Sequence, residues 1–481
     1  MERAVMEQRQ KKHNFIRRIA IAVGVSAGLI CGSVQAETLA DALVGAYQNS
    51  GLLDQNRALL RAADEDVAAA AAALKPIVDY TASISQDFGD RRTTAGGIST
   101  STDINNSDGE VGLIASLLLY DGGASRLDLE ATKETVLATR QDLISVEQDV
   151  LLRGVVAYLT VFANRDVVEL RQNNLRLLQE ELRATQDRFD VGEVTRTDVA
   201  QAESSLAQAR SELAIAQGDL QQAIEEYVNV VGRQPGPLSP PPNLPSLDSN
   251  VDTARARAVQ NHPDLQAAQH RVAAAELNIL RAEASLNPTV SATGSVSLQE
   301  DFGSSDYSNV GSVGIELRGP IYQGGALSSG IRRAIALRDS ELGSLYEVRK
   351  RITQDVGNAY ASLAARRASL SASEERIRAA RIAFEGVREE ATLGARTTLD
   401  VLDAEQDLLD AETARISDEA NLYVAAYEVL DATGRLTAGD LGLGVQLYDP
   451  AAYYNLVKDA PTARSEQGQR LDRVLKSLQR N

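Results

Sequence analysis

The sequence has few of the residues that most often carry catalysis, disulfides or metal binding. Its 481 residues include one cysteine, Cys31, and three histidines, of which two, His262 and His270, lie beyond the N-terminal segment. We find no phosphate-cradling glycine loop, metal-ligand cluster or nucleophile elbow. The sequence therefore predicts a protein that is not an enzyme and needs no cofactor or metal, and His262, next to Pro263, is predicted to be structural.

The N-terminal segment is predicted to be an export signal. A basic stretch precedes the apolar residues 19–34, and Val34-Gln35-Ala36 offers a small-residue cleavage site. We therefore assign residues 1–36 to a signal peptide. Lipid attachment at Cys31 is not expected, because Ile30 stands where a small residue is needed. A chain cleaved after Ala36 has no cysteine and hence no disulfide.

The chain is acidic. Its net charge is −18 at pH 7, and loss of a leader with six basic and two acidic residues lowers this to about −22. This balance argues against nucleic acid as a partner and against docking on anionic lipid through a basic patch. After the leader, no apolar run reaches the roughly 18 residues of a membrane-spanning helix. An exported chain of this kind can still span an outer membrane as a β-barrel.

The sequence contains an internal duplication. Tyr120-Asp121-Gly122-Gly123-Ala124 returns as Tyr322-Gln323-Gly324-Gly325-Ala326, and Gly192 returns as Gly394, both at a shift of 202 residues. Upstream the shift is 212, so the first copy has ten extra residues, which we assign to a polar surface loop at 91–109. The repeats are therefore residues 37–233 and 251–445, joined by a Pro-rich linker at 234–250.

Each copy predicts the same order of elements: a first helix, two strands, a long helix, a tight turn and a return helix. The first helices are predicted at about 38–74 and 252–286, and each ends before a proline. The long segments contain no proline and are rich in strong helix formers. The predicted strands are about 77–87, 109–120, 289–299 and 309–322, and the predicted long helices are 122–190, 196–231, 324–392 and 398–433.

The strands alternate apolar and polar residues over about ten positions, the length and pattern of outer-membrane barrel strands. The alternative is a soluble sheet, since this signal is weak for any single strand. Four strands are too few to close a barrel, whereas three copies of the chain would supply twelve. The sequence thus favours a mostly helical chain with a transmembrane β-barrel part, assembled as a homotrimer.

An acidic stripe follows the second turn. Aspartates at steps of three and four residues lie on one face of the predicted return helix: Asp400, Asp403, Asp407 and Asp410. The bland interpretation is a solvated face in a chain that is 24% charged. The first copy, however, has Asp198, Gln201, Ser205 and Gln208 at the matching positions. The acidity is therefore confined to one of two otherwise equivalent helices.

Segments 189–203, 319–334 and 393–412, together with the duplication, resemble the most characteristic parts of the TolC family of outer-membrane channel proteins. The resemblance covers about 37–445. It implies a trimer in which a twelve-stranded barrel in the outer membrane continues as a long α-helical tunnel across the periplasm of a Gram-negative bacterium. It implies an exit duct for a multidrug efflux pump or a type I secretion system. The implied partners are a periplasmic adaptor (membrane fusion) protein, an inner-membrane transporter (ABC, RND or similar) and outer-membrane lipid.

The resemblance also implies a gate at the periplasmic end. Asp400 and Asp403 match the aspartate rings that narrow the family's channel, with Asp407 and Asp410 as lumen-lining charge. Arg396 matches an arginine that links to a threonine–aspartate pair, here Thr197 and Asp198. Ala391 stands where the best-known member has a tyrosine, so closure is expected to depend more on the arginine.

Further predictions concern the hairpin turns, two tyrosines, the C-terminal tail and an alternative function. Gly192 and Gly394 are assigned to the hairpin turns, and Asp198 is also a candidate helix N-cap. Tyr158 and Tyr360 are predicted to pack in the tunnel wall, and residues 446–481 to form a polar tail that is flexible or loosely attached to the helical surface. The alternative function is a soluble periplasmic coiled-coil adaptor, against which the strand pairs at two equivalent places argue.

Overall fold

The computed structural model describes residues 36–478, so all but the last residue of the predicted signal peptide lies outside the described residues. The described part is mostly helical, with one four-stranded sheet, as the sequence predicts. The first repeat contains α1 Leu39–Asn49, α2 Gly51–Ala72, β1 Ile77–Ala95, β2 Ile98–Tyr120, α3 Ala124–Asp190 and α4 Arg196–Val231. The second contains α5 Val251–Asn261, α6 Pro263–Ala284, β3 Thr289–Asp301, β4 Tyr307–Arg318, α7 Ala326–Thr392 and α8 Thr398–Ala432.

The first helix of each repeat is broken, which the prediction of single helices at 38–74 and 252–286 missed. In the first repeat Ser50 adopts an extended conformation, and its hydroxyl accepts a hydrogen bond from the backbone N–H of Leu53, which starts α2. In the second, Pro263 has no N–H to donate, so α5 ends before it and α6 begins at it.

The long helices α3 and α7 each contain 67 residues, which at 1.5 Å per residue makes them roughly 100 Å long. Each begins after a pair of glycines in the left-handed conformation, Gly122-Gly123 and Gly324-Gly325. Because only glycine adopts this conformation freely, the pair turns the chain sharply from strand into helix. After each long helix the chain reverses direction at another glycine, Gly192 or Gly394, and the return helix packs against the long helix.

The four strands form one antiparallel sheet in the order β1-β2-β3-β4. The predicted loop at 91–109 is wrong. The strands of the first repeat continue through it until Ala95 pairs with Ile98. The two-residue turn between them is Gly96-Gly97, both with positive φ, and the flanking Thr and Ser residues pair across the ribbon. The ten extra residues thus lengthen a hairpin. The predicted β4 end at 322 is also wrong, because Pro320 has no N–H for the ladder.

One face of the sheet is apolar across all four strands. One row across the four strands consists of Val78, Ala115, Gly294 and Val313, each paired with the next. The next row on the same face contains Tyr80, Leu113 and Val296. The other face carries Ser, Thr, Asp and Glu side chains in matching rows. In the single chain the apolar face is uncovered, with Tyr80 82% and Val313 93% exposed.

Tyr158 and Tyr360 do more than pack. The Tyr158 hydroxyl donates to the carbonyls of Glu37 (3.0 Å) and Ser239 (2.6 Å), and the Tyr360 hydroxyl donates to the carbonyl of Asp248 (2.9 Å). Each tyrosine therefore connects a long helix to the segment just before the first helix of its repeat, at Glu37 or Asp248.

The described part of the tail is attached to the helical surface, one of the two predicted alternatives, and it contains two helices. α9 (Pro450–Val457) packs against α2 and α10 (Glu466–Leu478) packs against α9, and Tyr453, Val457 and Leu471 are buried with Ala68. The tail contains enough apolar side chains at helical spacing to bury a face, which its overall polarity conceals. Across residues 36–478, no helix is long and apolar enough to cross a membrane.

Candidate functional site

The two helical hairpins end in the same turn. Gly192 and Gly394 both adopt a positive φ, 84° and 78°. The N–H of each glycine donates to a carbonyl three residues back, and the next N–H, of Glu193 or Ala395, donates to a carbonyl five residues back. This is the Schellman arrangement that satisfies the last carbonyls of a helix, and the left-handed residue in it is usually glycine.

The return helices then start with the same cap. Thr195 and Thr397 are the N-cap residues of α4 and α8, and Asp198 and Asp400 complete each capping box from three residues further on. The prediction of Asp198 as the N-cap residue itself is therefore wrong by one turn. The backbone N–H and hydroxyl of Thr397 donate to the Asp400 carboxylate at 2.9 Å, and these bonds hold its pKa below the ordinary value. The bonds from Thr195 lower the pKa of Asp198 in the same way.

The structure does not bring the predicted gate-lock residues together within one chain. The Arg396 side chain donates from Nε to the carboxylate of Glu390 at 2.8 Å, one turn before the glycine. Within the described range Arg396 makes no hydrogen bond or ion pair with Thr197 or Asp198. Arg396 and Thr197 are both exposed at the hairpin ends.

The acidic stripe faces solvent. Asp403, Asp407 and Asp410 are exposed, and Asp400 is half-buried at the cap. Asp410 accepts a hydrogen bond from Gln406 at 2.8 Å. On the other side of α8, Val401, Leu402 and Leu409 are buried. The helix thus separates a buried apolar face from an exposed carboxylate face.

One polar residue on the buried face of α8 was missed by the sequence prediction. Glu405 is buried, and its carboxylate accepts a hydrogen bond at 2.7 Å from the side-chain amide of Asn174 on α3. Burial, and then the charge of Glu181, raises the pKa of Glu405 to about 7. The signal was present in the sequence, because Glu405 shares the helical spacing of Leu402 and Leu409.

The two histidines of the described chain have local partners. The ring of His262 caps α6 by accepting from the N–H of Asp264, and the ring of His270 contacts Glu134 at 2.7 Å. In residues 36–478, no group of three or more His, Cys, Asp or Glu side chains is placed to hold a metal ion.

The duplicated hairpins match a known family twice. The model of the family described as outer membrane efflux protein matches residues 42–233 and again residues 254–435. The chain belongs to this family. It is therefore an outer-membrane channel protein and not an enzyme, and the resemblance to the TolC family is confirmed.

Individual relatives support this assignment. The chain is 37% identical over 444 residues to the outer membrane efflux protein BepC of Brucella suis, covering 92% of this chain and 95% of that protein. It is 28% identical to the proteases secretion protein PrtF of Dickeya chrysanthemi, covering 82% and 88%. Among solved structures, CusC superposes with a TM-score of 0.72 at 19% identity, covering 83% of this chain and 92% of CusC, which shows a shared fold.

Proposed function

We propose that three copies of this chain form a channel that crosses the outer membrane and continues as a helical tunnel into the periplasm, with a gate at the periplasmic end. The observation that carries the proposal is the uncovered apolar face of the sheet, which continues across all four strands. The sheet is open at β1 and β4. Three such sheets joined edge to edge give twelve strands, with the apolar face toward lipid and the polar face toward a lumen.

The helices support a trimer independently. α7 carries exposed apolar side chains on one face three turns apart, Ile335 and Tyr346, of which Tyr346 is 60% exposed. A long helix in water normally covers such a face. A second copy of the chain, placed beside α7 by the same rotation that joins β4 to the next β1, is the occupant that closes the tunnel wall.

The periplasmic gate is proposed at the hairpin ends. Threefold symmetry places Asp400 and Asp403 in two rings of three carboxylates, with Asp407 and Asp410 further along the lumen. Like charges in a narrow opening repel anions and concentrate cations, so the channel should prefer cations and be plugged by divalent ones. A link from Arg396 to Thr197 and Asp198 would hold the opening closed, and because Ala391 offers no tyrosine hydroxyl, closure would depend more on this arginine.

The channel supplies the exit but no energy source. An inner-membrane transporter and a periplasmic adaptor would deliver the substrate to it. We favour small-molecule efflux, because the relative with 37% identity over nearly the whole chain is named an efflux protein. Protein secretion is the second candidate, since PrtF at 28% identity is named for the secretion of proteases.

Single-channel recording of the purified protein in planar bilayers tests the proposal. We expect cation-selective pores that Asp400→Ala/Asp403→Ala renders unselective, with a cation-to-anion permeability ratio near one. Glu203→Ala removes an exposed carboxylate at a comparable height of α4 and serves as the matched control, with selectivity unchanged. Selectivity that survives the double substitution would show that the constriction lies elsewhere.

A deletion strain separates the two substrate classes. Loss of drug resistance with normal secretion indicates an efflux duct, whereas loss of a secreted protein with normal resistance indicates a secretion duct.

A further inference from the structure

α8 buries a carboxyl group on the side opposite its exposed aspartates, whereas its counterpart in the first repeat, α4, does not. Asp403 and Glu405 are two residues apart and therefore about 200° apart around the helix axis, so they point in nearly opposite directions. Asp403 is exposed, whereas Glu405 is only 6% exposed. In the first repeat the counterpart of Glu405 is Glu203, which is exposed on α4. Only the second hairpin therefore buries a carboxyl group at this position.

The partner of Glu405 belongs to the other hairpin. The Asn174 amide that donates to it is itself only 9% exposed, and it lies 231 residues earlier in the chain. About one turn closer to the hairpin ends, Leu178 of α3, Leu206 of α4 and Leu402 of α8 form one buried cluster. Leucines tolerate sliding and rotation, whereas a buried hydrogen bond fixes one register, since breaking it leaves an unpaired polar group.

Building on the gated channel proposed above, we propose that the Asn174–Glu405 bond positions α8 against the first hairpin, and that it breaks when the periplasmic opening widens. The two side chains are positioning residues, because they act on the opening through the helix that carries Asp400 and Asp403. A rotation of α8 that moves these aspartates away from the channel axis must also turn Glu405 out of its contact with α3.

Charged groups surround Glu405 unevenly. It lines a cavity of about 490 Å³ between α3, α7 and α8. α3 contributes Glu181 nearby and Glu180 and Arg176 in the cavity wall, α7 contributes Arg388, and α8 contributes Glu412. Among the described residues, none from α4 lines this cavity. Burial and the Glu181 charge raise the pKa of Glu405 to about 7, and the Asn174 bond and Arg388 oppose them only in part.

The sign of the pH effect follows from these contacts. When α8 is released, the Glu405 carboxyl is hydrated and its pKa returns toward the ordinary 4.5. The packed state thus binds the proton more tightly. Its advantage is fully present below about pH 4.5 and is lost as the pH rises through about 7. The channel should therefore open more readily at neutral than at acidic pH.

Bilayer recordings of the full-length protein between pH 5 and 8 test this. The open probability of the wild type should rise across the interval. Glu405→Gln keeps a partner for Asn174 but cannot ionise, so its open probability should stay low and flat. Glu405→Ala leaves the amide unpaired and should raise the open probability about tenfold at acidic pH. Glu203→Gln is the matched control and should behave as wild type.

A second titrating group serves to exclude a general effect of pH on α8. Asp431 lies at the far end of the helix, and burial, followed by the charge of Asp149, raises its pKa to about 7 as well. The pH response should persist in Asp431→Asn and vanish in Glu405→Gln; the reverse result overturns the inference.

The inference and the proposed function fail in different ways. Pores whose selectivity depends on Asp400 and Asp403, but whose pH response is unchanged in Glu405→Gln, leave the channel standing and refute the positioning role. A wild type that forms no pores refutes both.

Discussion

The long helices α3 and α7 are two copies of one element with very different surroundings. Both contain 67 residues and both start after a glycine pair. α3 packs against α1, α2, α4, α6 and α8 and buries seventeen of its residues. Among the described elements, α7 packs mainly against α5, α6 and α8, and it buries five residues. A duplicated sequence has therefore produced one helix at the centre of the protomer and one at its edge.

The difference indicates what each helix is for. α3 provides the core that holds one chain together, including the fully buried Leu151, Val155 and Tyr158. α7 keeps apolar side chains such as Tyr346 on a surface that no other part of residues 36–478 covers. The proposed homotrimer would explain this asymmetry, because closed symmetry uses the edge of one chain against the opposite edge of the next.

The largest expected effect is loss of the trimer when the exposed apolar face of α7 is changed. Ile335→Asp/Tyr346→Asp places two charges in the proposed contact between chains, where an unpaired charge is strongly unfavourable. We expect complete loss of the trimer on size-exclusion chromatography, while circular dichroism still shows a helical protomer. Ser340→Asp, at an exposed polar position on another face of α7, is the control and should leave the trimer intact. A normal trimer from the double variant would show that this face is not the contact.

A smaller effect is expected from truncation within the core of α3. Leu151→Ala removes a side chain with no exposed surface and should lower the free energy of unfolding by about 2–5 kcal/mol. Its counterpart 202 residues later is Thr353, which is half-buried on α7, and Thr353→Ala should change the free energy by less than about 1 kcal/mol. Denaturant unfolding of the two variants makes the measurement. Equal effects would contradict the division into a core helix and an edge helix.

The smallest effect concerns the paired tyrosines. Tyr158→Phe leaves the carbonyl of Ser239 without its donor in a fully buried site, while the carbonyl of Glu37 keeps the backbone N–H of Ser239, and the change should cost about 1–3 kcal/mol. Tyr360→Phe removes a single bond from a half-buried site and should cost about 0.5–1.5 kcal/mol. The same unfolding experiment compares them, and a larger cost for Tyr360→Phe would reverse our ranking of the two repeats.

Much of the fold follows from the sequence because its signals are local. A glycine followed three residues later by threonine marks both hairpin turns, at Gly192 and Gly394, and proline-free stretches mark the long helices. The constant shift between repeats shows that these helices have no insertions. The acidic stripe of α8 is likewise visible in the sequence, because it appears in only one copy.

The remaining features depend on contacts between distant residues. The first hairpin of the sheet is twice as long as predicted, because polar residues that look like a loop pair across Gly96-Gly97. The partner of Glu405 is 231 residues away, so its identity appears only when α3 and α8 are packed together. The helices of the tail are stabilised by α2, nearly 400 residues earlier in the chain, which no local pattern reveals.

The number of chains in the native particle tests the central claim most directly. Native mass spectrometry of the full-length protein, purified in mild detergent without cross-linking, gives this number from a single spectrum. Three chains are expected, because three four-stranded sheets joined edge to edge give the proposed twelve-stranded barrel and place a neighbouring chain beside each α7. A particle that remains one chain or two under these conditions contradicts the account.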